Sequence, residues 1–197
     1  MGKLICLMGK SSSGKDTIYK ELRKNKNFDL KKVTSYTTRP IREGEAEGVQ
    51  YHFVSTEQAL EMEREGRVIE MRIYPSAYGP WRYFTADDGQ IELDKADYIL
   101  IGTLETLVAL KKYYGEEKII PIYIEVEDGL RLQRALDRER AESSPKYDEM
   151  CRRFLADTQD FSEEKIKEAG VTKRFINESL EDTLSQVESY IREALLK

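Results

Sequence analysis

The run Gly9-Lys10-Ser11-Ser12-Ser13-Gly14-Lys15 has the form GxxxxGK. Glycines at both ends let the backbone curl so that successive N–H groups point inward, which suits phosphate oxygens. Lys15 adds a compact positive charge for the outer phosphates of a nucleoside triphosphate. The pattern carries this meaning only between a strand and a helix. Here the apolar run Leu4–Met8 precedes it and the amphipathic stretch Lys15–Lys24 follows it, so a helix N-terminus adds its dipole at the same point. The expected triphosphate segment is Gly9, Lys10, Ser11, Ser12, Ser13, Gly14, Lys15, Asp16 and Thr17. Asp16 stands where a Ser or Thr commonly holds Mg2+. Two readings of it stay open: a magnesium ligand, direct or through water, or a first-turn acid that suits the helix dipole. Thr17, one place later, is a further donor to phosphate.

A second constellation lies downstream, in Ser35-Tyr36-Thr37-Thr38-Arg39-Pro40-Ile41-Arg42-Glu43-Gly44-Glu45. Arg39 and Arg42, three apart beside a glycine turn, can converge on one dianionic phosphate, each with a planar fork of donors.

These residues need a frame to hold them. Apolar runs at Leu4–Met8, Tyr98–Ile101, 119–126 and Arg174–Ile176 alternate with helix-like stretches at Lys15–Lys24, 56–66, 103–114, 129–141, 146–168 and 180–196, the rhythm of an α/β protein with a mostly parallel central sheet. Between 31 and 86 the pattern changes to short β-like pieces at 33–36, 51–54, 68–73 and 83–85, which reads as an inserted substrate-binding subdomain. The charged run 139–146 reads as a loop.

With 197 residues, 40% hydrophobic and 35% charged, the chain fits one domain with a single substantial core. A net charge of -5 opposes a broad footprint for polymeric nucleic acid. No apolar run reaches the roughly 20 residues that cross a bilayer, and residues 1–8 are too short for a signal-peptide core; the expectation is a cytoplasmic protein without a membrane role. Cys6 and Cys151 have no metal-ligand spacing and read as reduced packing residues. His52, the one histidine, reads as a strand residue. The sequence sets no oligomeric state.

The second constellation, with Tyr51-His52-Phe53 after it, resembles the guanylate kinase family, whose pattern runs S-x-T-T-R-x-x-R-x-G-E with a downstream Y-x-F. The resemblance covers nearly the whole chain, densest from Leu4 to Gly79. It implies a P-loop kinase fold with a parallel central sheet, a small β-rich GMP-binding insertion (about 31–86), a core (about 1–30 and 87–197) and a helical lid (about 129–160). The implied reaction is transfer of the terminal phosphoryl of ATP to GMP with Mg2+. Ser35, Arg39, Arg42, Tyr51, Glu70 and Tyr78 are the implied GMP-binding residues. Arg39, Arg42, Tyr51 and Tyr78 fall on the phosphate; Glu70 accepts from the two adjacent guanine donors, and Ser35 donates to the guanine carbonyl. Lys15, Arg134, Arg138 and Arg153 are the implied transfer-step residues; for the three arginines a solvated helix face is the other reading. Asn177 resembles the family residue near adenine, and a helix N-cap fits it as well.

The chain also departs from the family. Where L-D-I-D-x-Q-G is usual it reads Leu100-Ile101-Gly102-Thr103-Leu104-Glu105-Thr106, Pro80 replaces a small hydroxyl residue, and one residue is missing between Glu70 and Tyr78. Two further readings stay open: a kinase of the same fold for another phosphorylated acceptor, and a non-catalytic guanylate-kinase-like binding module.

Overall fold

The computed structural model describes residues 2–42, 44–75 and 79–196. Its main sheet is parallel throughout. Strand β1 (Leu4–Met8) lies at the centre between β7 (Tyr98–Ile101) and β8 (Ile119–Glu125), with β2 (Lys31–Lys32) and β9 (Arg174–Ile176) at the edges. All five residues of β1 are fully buried, and the reason is that helices cover both faces. Leu4, Cys6 and Met8 pack toward Leu104, Leu107 and Leu110 of α3 (Leu104–Tyr114). Ile5 and Leu7 pack toward Ile18 and Leu22 of α1 (Lys15–Lys24) and Val187 and Ile191 of α7 (Leu180–Leu195). A strand covered on both sides reads as a continuous apolar run, and each such side chain contributes about 1.5–3 kcal/mol by leaving water.

A second sheet, in the order β4-β3-β6-β5, contains β3 (Tyr36–Thr37), β4 (His52–Phe53), β5 (Val68–Tyr74) and β6 (Trp81–Ala86). Helix α2 (Thr56–Arg64), closed at its start by a Ser55/Gln58 capping box, covers one face: Ala59 and Met62 pack on Phe84 and Ala86. A register shift between Val68 and Glu70 decides what the other face carries. Val68 sits opposite Ala86 on the α2 side, whereas Glu70 sits opposite Thr85. Without the extra residue, period-two alternation would put Val68 and Glu70 on the same face. The bulge therefore turns Glu70, and after it Arg72 and Tyr74, toward the cleft between the two sheets.

Helices α4 (Asp128–Arg140), α5 (Tyr147–Asp160) and α6 (Glu163–Glu168) complete the chain. Among the described residues no helix is long and apolar enough to cross a membrane. The expected single helix over 146–168 is broken at Phe161, which turns into the core and stacks on Tyr123, while Ser162 caps the new start of α6. The expected strand at 33–36 is the crossing between sheets: Val33 N–H still bonds Ile99 C=O, and pairing in the second sheet begins at Tyr36. Cys6 is a packing residue as expected; Cys151 is not, because it lies on the exposed face of α5. Both cysteines are free. His52 lies in β4, with its Nδ1 2.8 Å from Glu47.

Candidate active site

The GxxxxGK run is the loop between β1 and α1. Gly14 has φ 86°, and a Cβ there would lie 2.3 Å from Asn177 Nδ2. A Cβ on Gly9 would lie 2.5 Å from the carbonyl oxygen of Ile124. Both glycines are thus required by close approach. Asn177 is 3% exposed and donates from Nδ2 to Ser13 C=O at 2.7 Å, while its own N–H bonds Glu125 C=O at 2.8 Å. It ties the loop to the end of β8. The cap of α7 is Ser179, whose hydroxyl accepts from Asp182 N–H, so Asn177 braces the loop and caps no helix. Lys15 Nζ lies 3.5 Å from Asp16 Oδ2, and the Asp16 side chain is 71% exposed. Thr17 is exposed. Among the described residues no group of three or more His, Cys, Asp or Glu side chains could hold a metal; one open carboxylate is the donor available, and it suits Mg2+, which keeps several waters.

The arginines of α4 and α5 approach the same loop. Arg153 Nη2 donates to Ser11 Oγ at 3.2 Å, and Arg134 Nη2 donates to Asn177 C=O at 3.2 Å. Arg138 is exposed and, with Arg153, lines a space of about 20 Å3 against Ser11. Two residues not anticipated from sequence fasten this contact. Asp157 Oδ2 accepts from Ser11 N–H at 2.8 Å and from Arg131 Nη1 at 3.2 Å. Arg131 is 1% exposed, lies 3.9 Å over the Phe154 ring, and donates from Nε to Asp128 at 3.0 Å. Its place in a strongly charged helix, Leu130-Arg131-Leu132-Gln133-Arg134, looks like a solvated face. Its contacts with Asp157 and the half-buried Phe154 ring, far along the chain, are what mark it out.

On the facing wall, Arg39 is buried against the rings of Tyr51 and Phe53, with Cζ 5.3 and 5.4 Å from their centroids. Its guanidinium makes a two-pronged contact with Glu45 at 2.7 and 2.6 Å. That contact holds the Glu45 carboxyl down at about 2, against a cost from burial and with help from the Arg42 N–H. Arg42 is exposed beside this clamp. Burial raises the Tyr51 hydroxyl above its usual value. Ser35 is half-buried in the crossing, and its carbonyl accepts from His52 N–H. Tyr78 lies outside the described residues.

Glu70 is 9% exposed. Its Oε1 accepts from Thr85 Oγ1 at 3.0 Å and Thr106 Oγ1 at 3.4 Å, and Arg72 Nε donates to Oε2 at 3.1 Å. Burial opposes the charge of Arg72, but Glu70 and Tyr74 more than offset it, and its pKa stands above the ordinary value. Thr106 also closes the start of α3 with Thr103, in a reciprocal capping box. Both threonines lie in the stretch where the aspartates are absent. Glu70 and Arg72 line a recess of about 430 Å3 with Tyr74, Glu105 and Asp160. A larger recess of about 820 Å3 between α3 and α6 shares Tyr74, Glu105 and Asp160 with it. Arg72 carried no signal in the sequence beyond standing two places after Glu70 in a strand.

The guanylate kinase family model matches residues 1–194. The chain belongs to the guanylate kinase family. It is 38% identical to a guanylate kinase of Clostridium tetani over 117 residues, 58% of this chain and 53% of that protein. It is 29% identical to one of Malacoplasma penetrans over 184 residues, 90% of this chain and 82% of the relative. The chain thus spans about half the length of the Clostridium tetani relative it matches. A crystal structure of guanylate kinase from Anaplasma phagocytophilum matches with a TM-score of 0.69 at 19% identity, covering 100% of this chain and 87% of that one. At that identity the likeness concerns the fold, an α/β arrangement around a parallel sheet.

Proposed function

We propose that the chain transfers the terminal phosphoryl of ATP to GMP, giving ADP and GDP. The observation that carries this is the placement of a braced GxxxxGK loop, with Lys15 at the start of α1, in a chain whose second sheet presents Arg39, Tyr51 and Glu70 on its cleft side. In this reading residues 1–30 and 87–197 form the core, 31–86 the acceptor subdomain and 129–160 the lid. The loop from Gly9 to Thr17 takes the ATP phosphates on its N–H groups, and Lys15 neutralises the outer ones. Arg39 and Arg42 take the GMP phosphate, with Tyr51 and Tyr78 donating to it. Glu45 keeps the Arg39 fork aimed while its remaining N–H groups meet the ligand. Glu70 and Ser35 face the guanine.

Phosphoryl transfer spreads charge over equatorial oxygens, so catalysis is mostly positioning and positive charge. Arg134, Arg138 and Arg153 supply that charge from the lid, and closure of the lid excludes water that would hydrolyse ATP. No protein nucleophile takes part. Mg2+, bound with ATP, would supply charge neutralisation; Asp16, directly or through water, is the residue that would hold it, and Thr17 would donate to a phosphate. Asn177 supports the nucleotide site through the loop it braces.

A same-fold kinase for another phosphorylated acceptor is the second reading, and the occupation of Glu70 by Arg72 favours it. A binding module that has abandoned catalysis fits less well with retained Gly9, Gly14 and Lys15. Lys15→Ala tests the phosphoryl-transfer assignment: kcat for ADP formation should fall by about 10^3-fold, the scale of losing a group that stabilises transition-state charge. Full activity in that variant would remove the proposed active site.

A further inference from the structure

We propose that Arg72 is a specificity-determining residue of the acceptor site: it occupies the Glu70 carboxylate as an internal competitor, and a guanine edge binds only as Arg72 gives that carboxylate up. The proposal rests on the GMP reading above and assigns Arg72 a role beside it.

A guanine read by a carboxylate presents two adjacent N–H donors, one for each oxygen. In this structure both oxygens of Glu70 already accept bonds from the protein. Oε1 already accepts from Thr85 and Thr106, and Oε2 accepts from Arg72 Nε, with Arg72 Nη2 3.5 Å from Oε1. The two threonine hydroxyls approach from β6 and α3 and take one oxygen; Arg72 bonds the other through Nε, a charge-assisted contact. Of these partners Arg72 is the one that stands in the ligand's place, because it lies on the cleft side of β5, two residues from Glu70, in the recess that both line.

A guanidinium displaced from a buried carboxylate needs another anion, or the exchange is prohibitive. The same recess supplies two. Glu105 on α3 and Asp160 at the end of α5 line it beside Tyr74, and these two carboxylates are the second station the proposal gives Arg72. The exchange also links acceptor to lid, since Asp160 closes the helix that carries Arg153 and Asp157. The absence of the usual aspartates around Gly102 and Thr103 belongs to the same arrangement. From that same stretch Thr106 donates a hydroxyl to Glu70, and Arg72, a cation on β5, balances the carboxylate.

The test is a comparison of GMP kinetics, with ATP and magnesium saturating, among the wild type, Arg72→Met, Arg72→Lys, Glu70→Gln and the double variant Arg72→Met/Glu70→Gln. Thermal melting of each confirms folding. Methionine keeps the aliphatic stem and removes the competitor. The expected result is a KM for GMP about tenfold lower in Arg72→Met, the scale of one charge-assisted hydrogen bond no longer to be broken, with kcat within about twofold. The gain should vanish in the Glu70→Gln background, and Arg72→Lys, which keeps the charge, should stay near the wild type. A merely structural role moves melting but not this split. An unchanged or higher KM in a folded Arg72→Met protein, while the wild type turns over GMP, overturns the proposal and leaves the GMP reading standing. No turnover and no calorimetric binding of GMP by either the wild type or Arg72→Met overturns both.

Discussion

At the phosphate loop the glycine backbone sets the shape and one side-chain carboxylate, Asp157, holds the Ser11 N–H, whereas at the facing wall Arg39 and Glu70 are each paired with a charged neighbour. A Cβ on Gly9 or Gly14 would collide with Ile124 or Asn177, and Lys15 Nζ lies 3.5 Å from its exposed neighbour Asp16. Across the cleft Arg39 is taken by Glu45 and Glu70 by Arg72. The difference is physical. A loop made of N–H groups is completed by geometry, so its residue types and spacing suffice to specify it. A wall made of charged side chains must satisfy those charges before a ligand arrives, because an unpaired buried charge is costly. Under the proposed function, substrate binding on that side is an exchange of partners.

The sharpest way to test this contrast from the loop side is Asn177→Ala. The variant loses the bond from Nδ2 to Ser13 C=O and leaves that buried carbonyl unpaired, at a cost of about 1–3 kcal/mol. The contrast predicts a lower melting temperature and a raised KM for ATP, with the KM for GMP unchanged. Equal damage to both substrates would show that the two sides are mechanically one unit.

A smaller effect tests the wall. Glu45 has its carboxyl lowered from 4.5 to about 2, chiefly by the Arg39 hydrogen bonds. A depressed carboxylate contributes stability that is fully present above its ordinary value and is lost as pH falls through the folded one. The stability difference between the wild type and Glu45→Gln should accordingly stay level from neutral pH to about 5 and shrink between about 4 and 2. Urea titrations across that range measure it. A difference already lost near pH 5 would mean that the Arg39–Glu45 clamp does not form in solution.

This contrast also explains what was legible in the sequence. The loop, the buried β1 and the helices that flank it follow from a GxxxxGK run set between an apolar stretch and an amphipathic one. The bulge that turns Glu70 into the cleft was not readable, since it depends on cross-strand register with Thr85 and Ala86. Nor was β2, where two lysines form an edge strand, a place in which charge protects against unwanted pairing. Helix periodicity continued through 146–168, yet Phe161 and Ser162 break it, because burying one aromatic ring outweighs a turn of helix. Arg72, Arg131 and Asp157 are ordinary charged residues in the sequence; what distinguishes them is the partner each finds, and partners belong to the fold.

If the chain acts as proposed, the paired acceptor wall still reads guanine. Coupled ADP release with ATP and magnesium against GMP, dGMP, IMP, AMP, CMP and UMP tests it most directly. Turnover confined to the guanine nucleotides, with IMP weaker for want of one donor to Glu70, is the predicted result. Silence on every nucleotide, or preference for a base without those donors, would contradict it.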